Sequence, residues 1–499
     1  FQPGNNDRLY TATDGGLYLT STSVLADTVR WTDLNGGLQT MQYQFVNINP
    51  DPNGLGANTV WIAGGTQDNG TTLNANASNA NPAVAQAHFE WTGGDGCAVA
   101  LTPFRQSGTA FLNEFYSTVV NGTLYRAKMR LANSSIGVDE FTTITPSGQG
   151  GNGQWLTQFL SDPDIPEDLY YNNRNKLYRT NSATTVDSTS WVEMVGIGNN
   201  VPASHDFSCM ALSKRTNGVK YLYFGTDLGR IYRLDNANNT ATTTAPVNIT
   251  PTTLLANAYV AGIAVNPRNA DTVLAVVSNY DGVDANGNAV IVNNIFWTGN
   301  ATSATPTWQV IDGQLGALSS QSCAIVVTTA GVEYYVGTSV GLYSTTVING
   351  AATQWLNEAG GQPMMQRAII RSLVNRQRDN TLVVGTHGNG IFFTQIGNAV
   401  IINDVATSIN NPITNSRSFI EQVLPTIGSN QVQYRIGNQP GIRNIRVEVF
   451  DQRGARVYFE NRGYQNGSVP IRSLAAGQYI LQITSADNKY RHIQKIMRQ

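Results

Sequence analysis

Gly341-Leu342-Tyr343-Ser344 follows the apolar run Tyr334-Tyr335-Val336-Gly337-Thr338, and Trp355 stands eleven residues beyond Ser344. The phrase recurs. Gly16-Leu17-Tyr18-Leu19-Thr20 precedes Trp31, Lys176-Leu177-Tyr178-Arg179-Thr180 precedes Trp191, and Asn294-Ile295-Phe296-Trp297-Thr298 precedes Trp308. Weaker copies are Thr123-Leu124-Tyr125, Arg230-Ile231-Tyr232, Gly390-Ile391-Phe392 and, without the aromatic, Gly70-Thr71-Thr72-Leu73. The aromatic positions 125, 178, 232, 296, 343 and 392 are 53, 54, 64, 47 and 49 residues apart.

A period near fifty in strand-like sequence predicts an all-β chain built as a β-propeller, one four-stranded blade per repeat. A lone blade cannot bury both faces of its sheet, whereas neighbouring blades can, with the aromatics filling the space between them. With strands a to d named from the axis outward, the repeated phrase is the b–c hairpin. Eight such hairpins predict eight blades. Seven is the alternative, because residues 8–35 supply b, c and d of a first unit with no strand a, as if they belonged to an upstream propeller. Turns of matching chemistry join a to b at Asn49-Pro50-Asp51-Pro52-Asn53, Ser161-Asp162-Pro163-Asp164 and Asn266-Pro267-Arg268-Asn269. Proline presets the turn there and Asp or Asn bonds the local backbone. The propeller is expected over 1–398, a linker over 399–425 and a second domain over 426–499.

Charged residues make up only 13% of the chain and the net charge is -2, so nothing points electrostatically to nucleic acid or an anionic membrane. No apolar run reaches the roughly 18 residues of a membrane helix. No signal peptide opens the chain, which reads as a mature or truncated start. Cys97, Cys209 and Cys323 are 112 and 114 apart, two repeats each time. They read as unpaired thiols buried in innermost strands, too distant from one another to bond.

The c–d connections carry Ser or Thr, about ten residues and then Trp. This resembles a degenerate Asp-box of sialidase-type (BNR), sortilin-type and xyloglucanase-type propellers, in which the box is structural. After Ile396 the pattern changes to clean alternation, as in Arg446 and Glu448 against Val447 and Val449, which predicts a small antiparallel sandwich. Val447-Glu448-Val449-Phe450-Asp451-Gln452-Arg453-Gly454, Ser473-Leu474-Ala475-Ala476-Gly477-Gln478-Tyr479-Ile480-Leu481-Gln482-Ile483 and the basic final strand with Lys495 come in that order. This tail resembles the type A C-terminal sorting domain of Bacteroidota type IX secretion cargo, without its usual Pro-Asn-Pro opening. Asp451, Gly454, Gly477, Tyr479 and Lys495 carry the motif. The resemblance implies a secreted protein at the outer cell surface or beyond it. Its partners would be the type IX translocon with its shuttle and attachment proteins, and surface lipopolysaccharide where the tail is exchanged for it.

In a propeller the b–c and d–a loops share one face. That face is the expected ligand-binding face, with Asp14, Gln67, Asp68, Asn69, Asp95, His205, Asp206, Asp227 and His387. Asp-Gly and Asn-Gly also suit tight turns, so each carboxylate has a structural reading beside the functional one. Three functions follow. The first is a surface propeller that binds protein or glycan. The second is a glycoside hydrolase, for which Asp68 with Asp95 or Asp206 supplies the only candidate carboxylate pair; Phe104-Arg105 lacks the following residues of the sialidase pattern. The third is a structural subunit of a surface layer or filament. No cofactor is implied. Asp281, Asp284, Asn286 and Asn288 offer oxygens that could hold calcium, although the distal Glu of an EF-hand is missing.

Overall fold

The computed structural model describes residues 8–13, 16–21, 28–35, 40–50, 60–77, 88–107, 109–132, 135–151, 153–214, 218–283, 289–290, 292–358, 365, 367–397, 420–424, 427–428, 430–437, 442–451, 455–486 and 491–498. The chain separates into two compact units, Phe1–Ile402 and Asn403–Gln499. Both are built of small, almost wholly antiparallel sheets. Among the described residues the one α-helix is Val195–Asn200, too short and too polar to cross a membrane.

Among the described residues the first unit holds eight sheets of three or more strands, numbered in chain order, and a two-stranded ribbon, Gly282–Val283 with Ala289–Val290, inserted in the sixth; the third carries an extra short strand, Arg105–Ser107. Sheet 1 has three strands, Leu9–Thr13, Gly16–Thr20 and Thr32–Asp33, with no strand a among the described residues. Its Tyr10 and Trp31 are exposed. Sheets 2 to 7 begin with an inner strand at Tyr43–Ile48, Gly96–Leu101, Phe159–Ser161, Phe207–Leu212, Val260–Asn266 and Ser320–Thr328, followed by b, c and d. Sheet 8 has, among the described residues, a, b and c: Ile369–Arg376, Thr381–His387 and Ile391–Gln395. Each inner strand lies against the next, and that of sheet 8 lies against that of sheet 2. There Val46 N donates to Ser372 Oγ at 3.1 Å, and Arg376 Nη1 donates to the Asn49 carbonyl at 3.2 Å.

Four repeated devices hold sheet to sheet. The first is the Gly of a Gly-Thr pair ending strand b. A Cβ on Gly225, Gly337 or Gly385 would sit 2.5 to 2.6 Å from Val260, Ile370 or Val46 of the following sheet, so only hydrogen fits. The paired threonine ties the b–c turn, as where Thr386 Oγ1 donates to the Gly390 carbonyl at 2.8 Å. The second is the Trp that closes the c–d connection. Trp191, Trp308 and Trp355 donate their indole N–H to the carbonyls of Ile144, Ile249 and Ile311 on the preceding sheet, at 2.6, 2.7 and 2.9 Å. The third is a buried arginine one residue after the strand-c aromatic. Arg126, Arg179 and Arg233 each donate to two carbonyls in the c–d connection of the next sheet. The fourth is the aromatic itself: Tyr178, Tyr232 and Phe296 are buried between sheets.

The three cysteines are buried and unpaired on inner strands of sheets 3, 5 and 7. The expected a–b turns form. Asp162 Oδ1 accepts the N–H groups of Asp164 and Ile165, and Asn266 Oδ1 accepts that of Arg268. The turn at 51–53 lies outside the described residues.

The second unit packs a three-stranded sheet against a five-stranded one over a core of Val432, Tyr434, Val447, Val449, Leu481 and Ile483. Its strand Ile420–Leu424 falls within the segment expected as linker and pairs with Gln431–Ile436. One pairing departs from the expected antiparallel plan: Ile427–Gly428 runs parallel to the last strand.

Candidate functional site

The b–c turns and d–a linkers bring the expected face residues together as pairs that brace each other's backbone. Asp68 sits at φ 62° in its turn, and its N–H donates to Asp95 Oδ1 at 2.8 Å. Gly70 N–H donates to the Gly94 carbonyl at 2.7 Å, and Asn69 Nδ2 to the Gln67 carbonyl at 3.2 Å. At sheet 5 a linker and a turn also brace each other, with the roles reversed. There Asp206 N–H donates to Asp227 Oδ1 at 2.8 Å, and Asp227 N–H to the Asp206 carbonyl at 3.0 Å. His205 is buried, with Nδ1 3.0 Å from Thr226 Oγ1. His387 bridges Gln42, whose carbonyl accepts Gln67 N–H at 3.2 Å. Asp14 lies outside the described residues.

Burial raises the Asp206 carboxyl above its ordinary value, with Arg174 Nη1 3.8 Å away pulling it down and Asp227 pushing it up. Burial lowers both His205 and His387, each helped by a nearby arginine, so both rings are neutral near pH 7. The carboxylates of Asp95 and Asp227 thus meet backbone N–H groups, while that of Asp206 lies beside Arg174. Of the calcium candidates, Asp281 Oδ1 accepts Val292 N–H at 2.8 Å and closes the base of its loop. Asp284, Asn286 and Asn288 lie outside the described residues. Among the described residues no three His, Cys, Asp or Glu side chains gather as metal ligands.

A pocket of about 500 Å³ opens beside Asp95, between sheets 2 and 3. Trp91, Thr92, Gly93 and Gly94 form one wall; Tyr125 and Phe141 form the other. Those two rings are stacked, with centroids 5.2 Å apart and planes 19° apart, and Phe141 is half exposed. The opening has a local cause. Strand c of sheet 3, Leu124–Ala132, and strand d, Ser135–Thr143, are joined by two residues. A connection that short has no room for the tryptophan that seals sheets 4, 6 and 7 against their predecessors. Tyr125, equivalent to the buried Tyr178, therefore faces open space. Sequence reasoning counted Tyr125 as core and passed over Phe141. The signal was available in the missing Trp after the third repeat. Asp95 Oδ2 accepts no hydrogen bond from the described residues, which leaves an anionic acceptor at the pocket's edge.

In the second unit Asp451 Oδ1 accepts Ala455 N–H at 2.9 Å, and the buried Tyr479 donates its hydroxyl to the Ala475 carbonyl at 2.8 Å. Gly477 opens the strand Gly477–Ser485, and Lys495 pairs with Ile480 in the last strand. Gly454 lies outside the described residues.

Residues 425–499 match the secretion system C-terminal sorting domain family, Por_Secre_tail. The second unit thus carries a type IX sorting domain. That domain engages the type IX machinery and marks proteins exported to the cell surface or the extracellular space. Among curated proteins none is similar in sequence. Solved structures with some likeness include PorZ, described as an essential bacterial surface component of the type-IX secretion system of Porphyromonas gingivalis. It is 13% identical over 99% of this chain and 80% of that one, with a TM-score of 0.28. Saccharomyces cerevisiae Sqt1 is 10% identical over 72% of this chain and 97% of its own, with a TM-score of 0.42. BBS1N, solved in complex with ARL6DN, is 11% identical over 74% and 96%, with a TM-score of 0.43.

Proposed function

We propose that the first unit is a seven-bladed β-propeller, formed by sheets 2 to 8 with sheet 1 outside the ring, and that it binds glycan at the cell surface or beyond it. The run of inner strands from sheet 2 through sheet 8 and back to sheet 2 supports the ring. The pocket beside Asp95 carries the glycan reading. A sugar ring lays its C–H face on an aromatic plane and gives its hydroxyl protons to a carboxylate or to backbone carbonyls. Stacked Tyr125 and Phe141, with Asp95 Oδ2 opposite, offer that combination. The use of Asp95 Oδ1 and Asp227 Oδ1 as braces for backbone N–H groups, and the Asp206 carboxylate's place beside Arg174, weigh against a hydrolytic pair and for a binding module. Calcium has no part in this reading.

The test is a glycan array probed with labelled full-length protein, with Phe141→Ala and Asp95→Asn alongside. The expected result is a defined set of bound glycans, lost or weakened at least about tenfold by Phe141→Ala. No glycan bound at micromolar protein, or binding indifferent to Phe141→Ala, sinks the proposal. Binding to surface proteins only would favour a protein ligand instead.

A further inference from the structure

Strand a carries a one-residue bulge near its start in five sheets of the first unit. The extra residues are Gln44, Ser208, Ala261, Gln321 and Arg371, each falling between paired neighbours of the ladder. A bulge re-aims one side chain out of the sheet's regular alternation, and bulges concentrate at sites. Three of these side chains meet. Arg371 donates through Nη1 to Gln321 Oε1 at 2.5 Å, and through Nε and Nη2 to Gln44 Oε1 at 3.3 and 3.2 Å. Its flanking partners therefore come from the inner strands on either side, sheets 7 and 2.

Arg371 is half-buried, and both partners are neutral amides. Among the described residues no carboxylate pairs with it. Arg126, Arg233 and Arg376 each meet a carboxylate, whereas Arg371, like Arg179, meets only neutral acceptors, and arginine is the residue of choice for holding an anion. Burial lowers Arg371 below its ordinary value and Tyr259 only partly offsets it. His387 lies within reach of that charge, and its Nδ1 is buried without a hydrogen-bond partner.

We propose that Arg371, set between Gln44 and Gln321, is the binding site for a single carboxylate group carried by a ligand. The fork of the guanidinium fits the two oxygens of a carboxylate, and His387 supplies a further donor, while the Gln321 amide competes for Nη1 and is itself committed to Ser319 Oγ at 2.6 Å. One positive charge matches a monoanion. The site does not depend on the pocket beside Asp95 and would stand if glycan binding there failed.

Calorimetric titration of the full chain tests this with four probes: sodium glucuronate, N-acetylglycine, glucose and inorganic phosphate. The expected order is binding of one or both carboxylates, none of glucose, and phosphate weaker by about tenfold or more. Glucuronate alone identifies a sugar acid as the source, and N-acetylglycine alone a peptide terminus. Arg371→Gln removes the charge and is expected to weaken the carboxylate at least about tenfold. Gln321→Ala keeps the charge and frees Nη1, so it is expected to hold or strengthen binding. Phe141→Ala is expected to leave it unchanged. Equal losses in Arg371→Gln and Gln321→Ala, phosphate bound as tightly as carboxylate, or no carboxylate bound at about 10 mM would each overturn the proposal.

Discussion

Replacing Lys220 with Met should destabilise the first unit strongly, and replacing Asp162 as well should restore most of the loss. Lys220 precedes strand b of sheet 5, and its ammonium meets Asp162 Oδ2 in the a–b turn of sheet 4. Both side chains are buried, at 1% and 0% exposure, so neither charge can fall back on water. Asp162 Oδ1 is already committed to the N–H groups of Asp164 and Ile165, at 2.9 and 3.2 Å. Lys220→Met leaves that carboxylate buried without its cation, a change that costs about 3–5 kcal/mol. In Lys220→Met with Asp162→Asn, the amide oxygen keeps both turn bonds and no charge remains, so about 1–2 kcal/mol of loss should persist. The sign of the pH dependence follows from burial, which already raises Asp162 against the pull of Lys220. Without the lysine the folded value rises further. A carboxyl raised on folding binds its proton more tightly in the folded state, so stability is fullest below the unfolded value and falls as pH climbs through the folded one. The single variant should therefore recover stability toward pH 4 by more than the double variant does, since both keep every other titrating group. Urea unfolding of the full chain read by tryptophan fluorescence isolates the effect, because all eight tryptophans precede residue 402. A single variant within about 1 kcal/mol of the parent, or a double variant less stable than the single, would refute the reasoning.

Asp312 gives a second pH signature. Burial pushes it up to about 6 despite the N–H groups of Asn294 and Ile295, so its contribution is present below about pH 4 and is lost as pH rises through about 6. Asp312→Asn should flatten urea midpoints between those values. Gly385→Ala would set a Cβ 2.6 Å from Val46 Cγ1 at the contact between sheets 8 and 2, and should cost about 1–3 kcal/mol in the same assay. An unchanged midpoint would mean that this contact is slack. Cys97 and Cys209 are pushed up to about 12 and Cys323 well above its ordinary value, all by burial. A disulfide reagent at pH 8 should therefore label no thiol before unfolding and three afterwards. Fast labelling of the native protein would contradict the burial.

How much of this was legible beforehand depends on how local each feature is. The hairpins were readable because Leu177-Tyr178-Arg179 and its copies repeat a short pattern whose alternation is set by one strand. The turn at Asp162 was readable for the same reason. The tail was readable because Val447 and Val449 alternate with charged residues along one strand, although Glu448 on the opposite face is buried beneath Arg446 and Arg456. The Gly-Thr pairs stood in the same phrases, yet the reason for their glycine lies on the next sheet, at Val46, Val260 or Ile370, more than thirty residues away in sequence. Arg126, Arg179 and Arg233 were hidden likewise, since an arginine beside an exposed turn and one buried under the next connection look alike in sequence. Asp68, Asp95, Asp206 and Asp227 were placed on a common face, but whether a carboxylate braces a turn or meets a ligand is settled by which N–H it accepts. Phe141 and Arg371 mark the other limit. One is exposed because a connection is two residues long, and the other is aimed by a bulge that a fifty-residue repeat cannot register. In a repeat protein whose sheets seal one another by common devices, a site arises where a device is missing or a register slips. The departures from the repeat, more than its best copies, are therefore where binding should be sought.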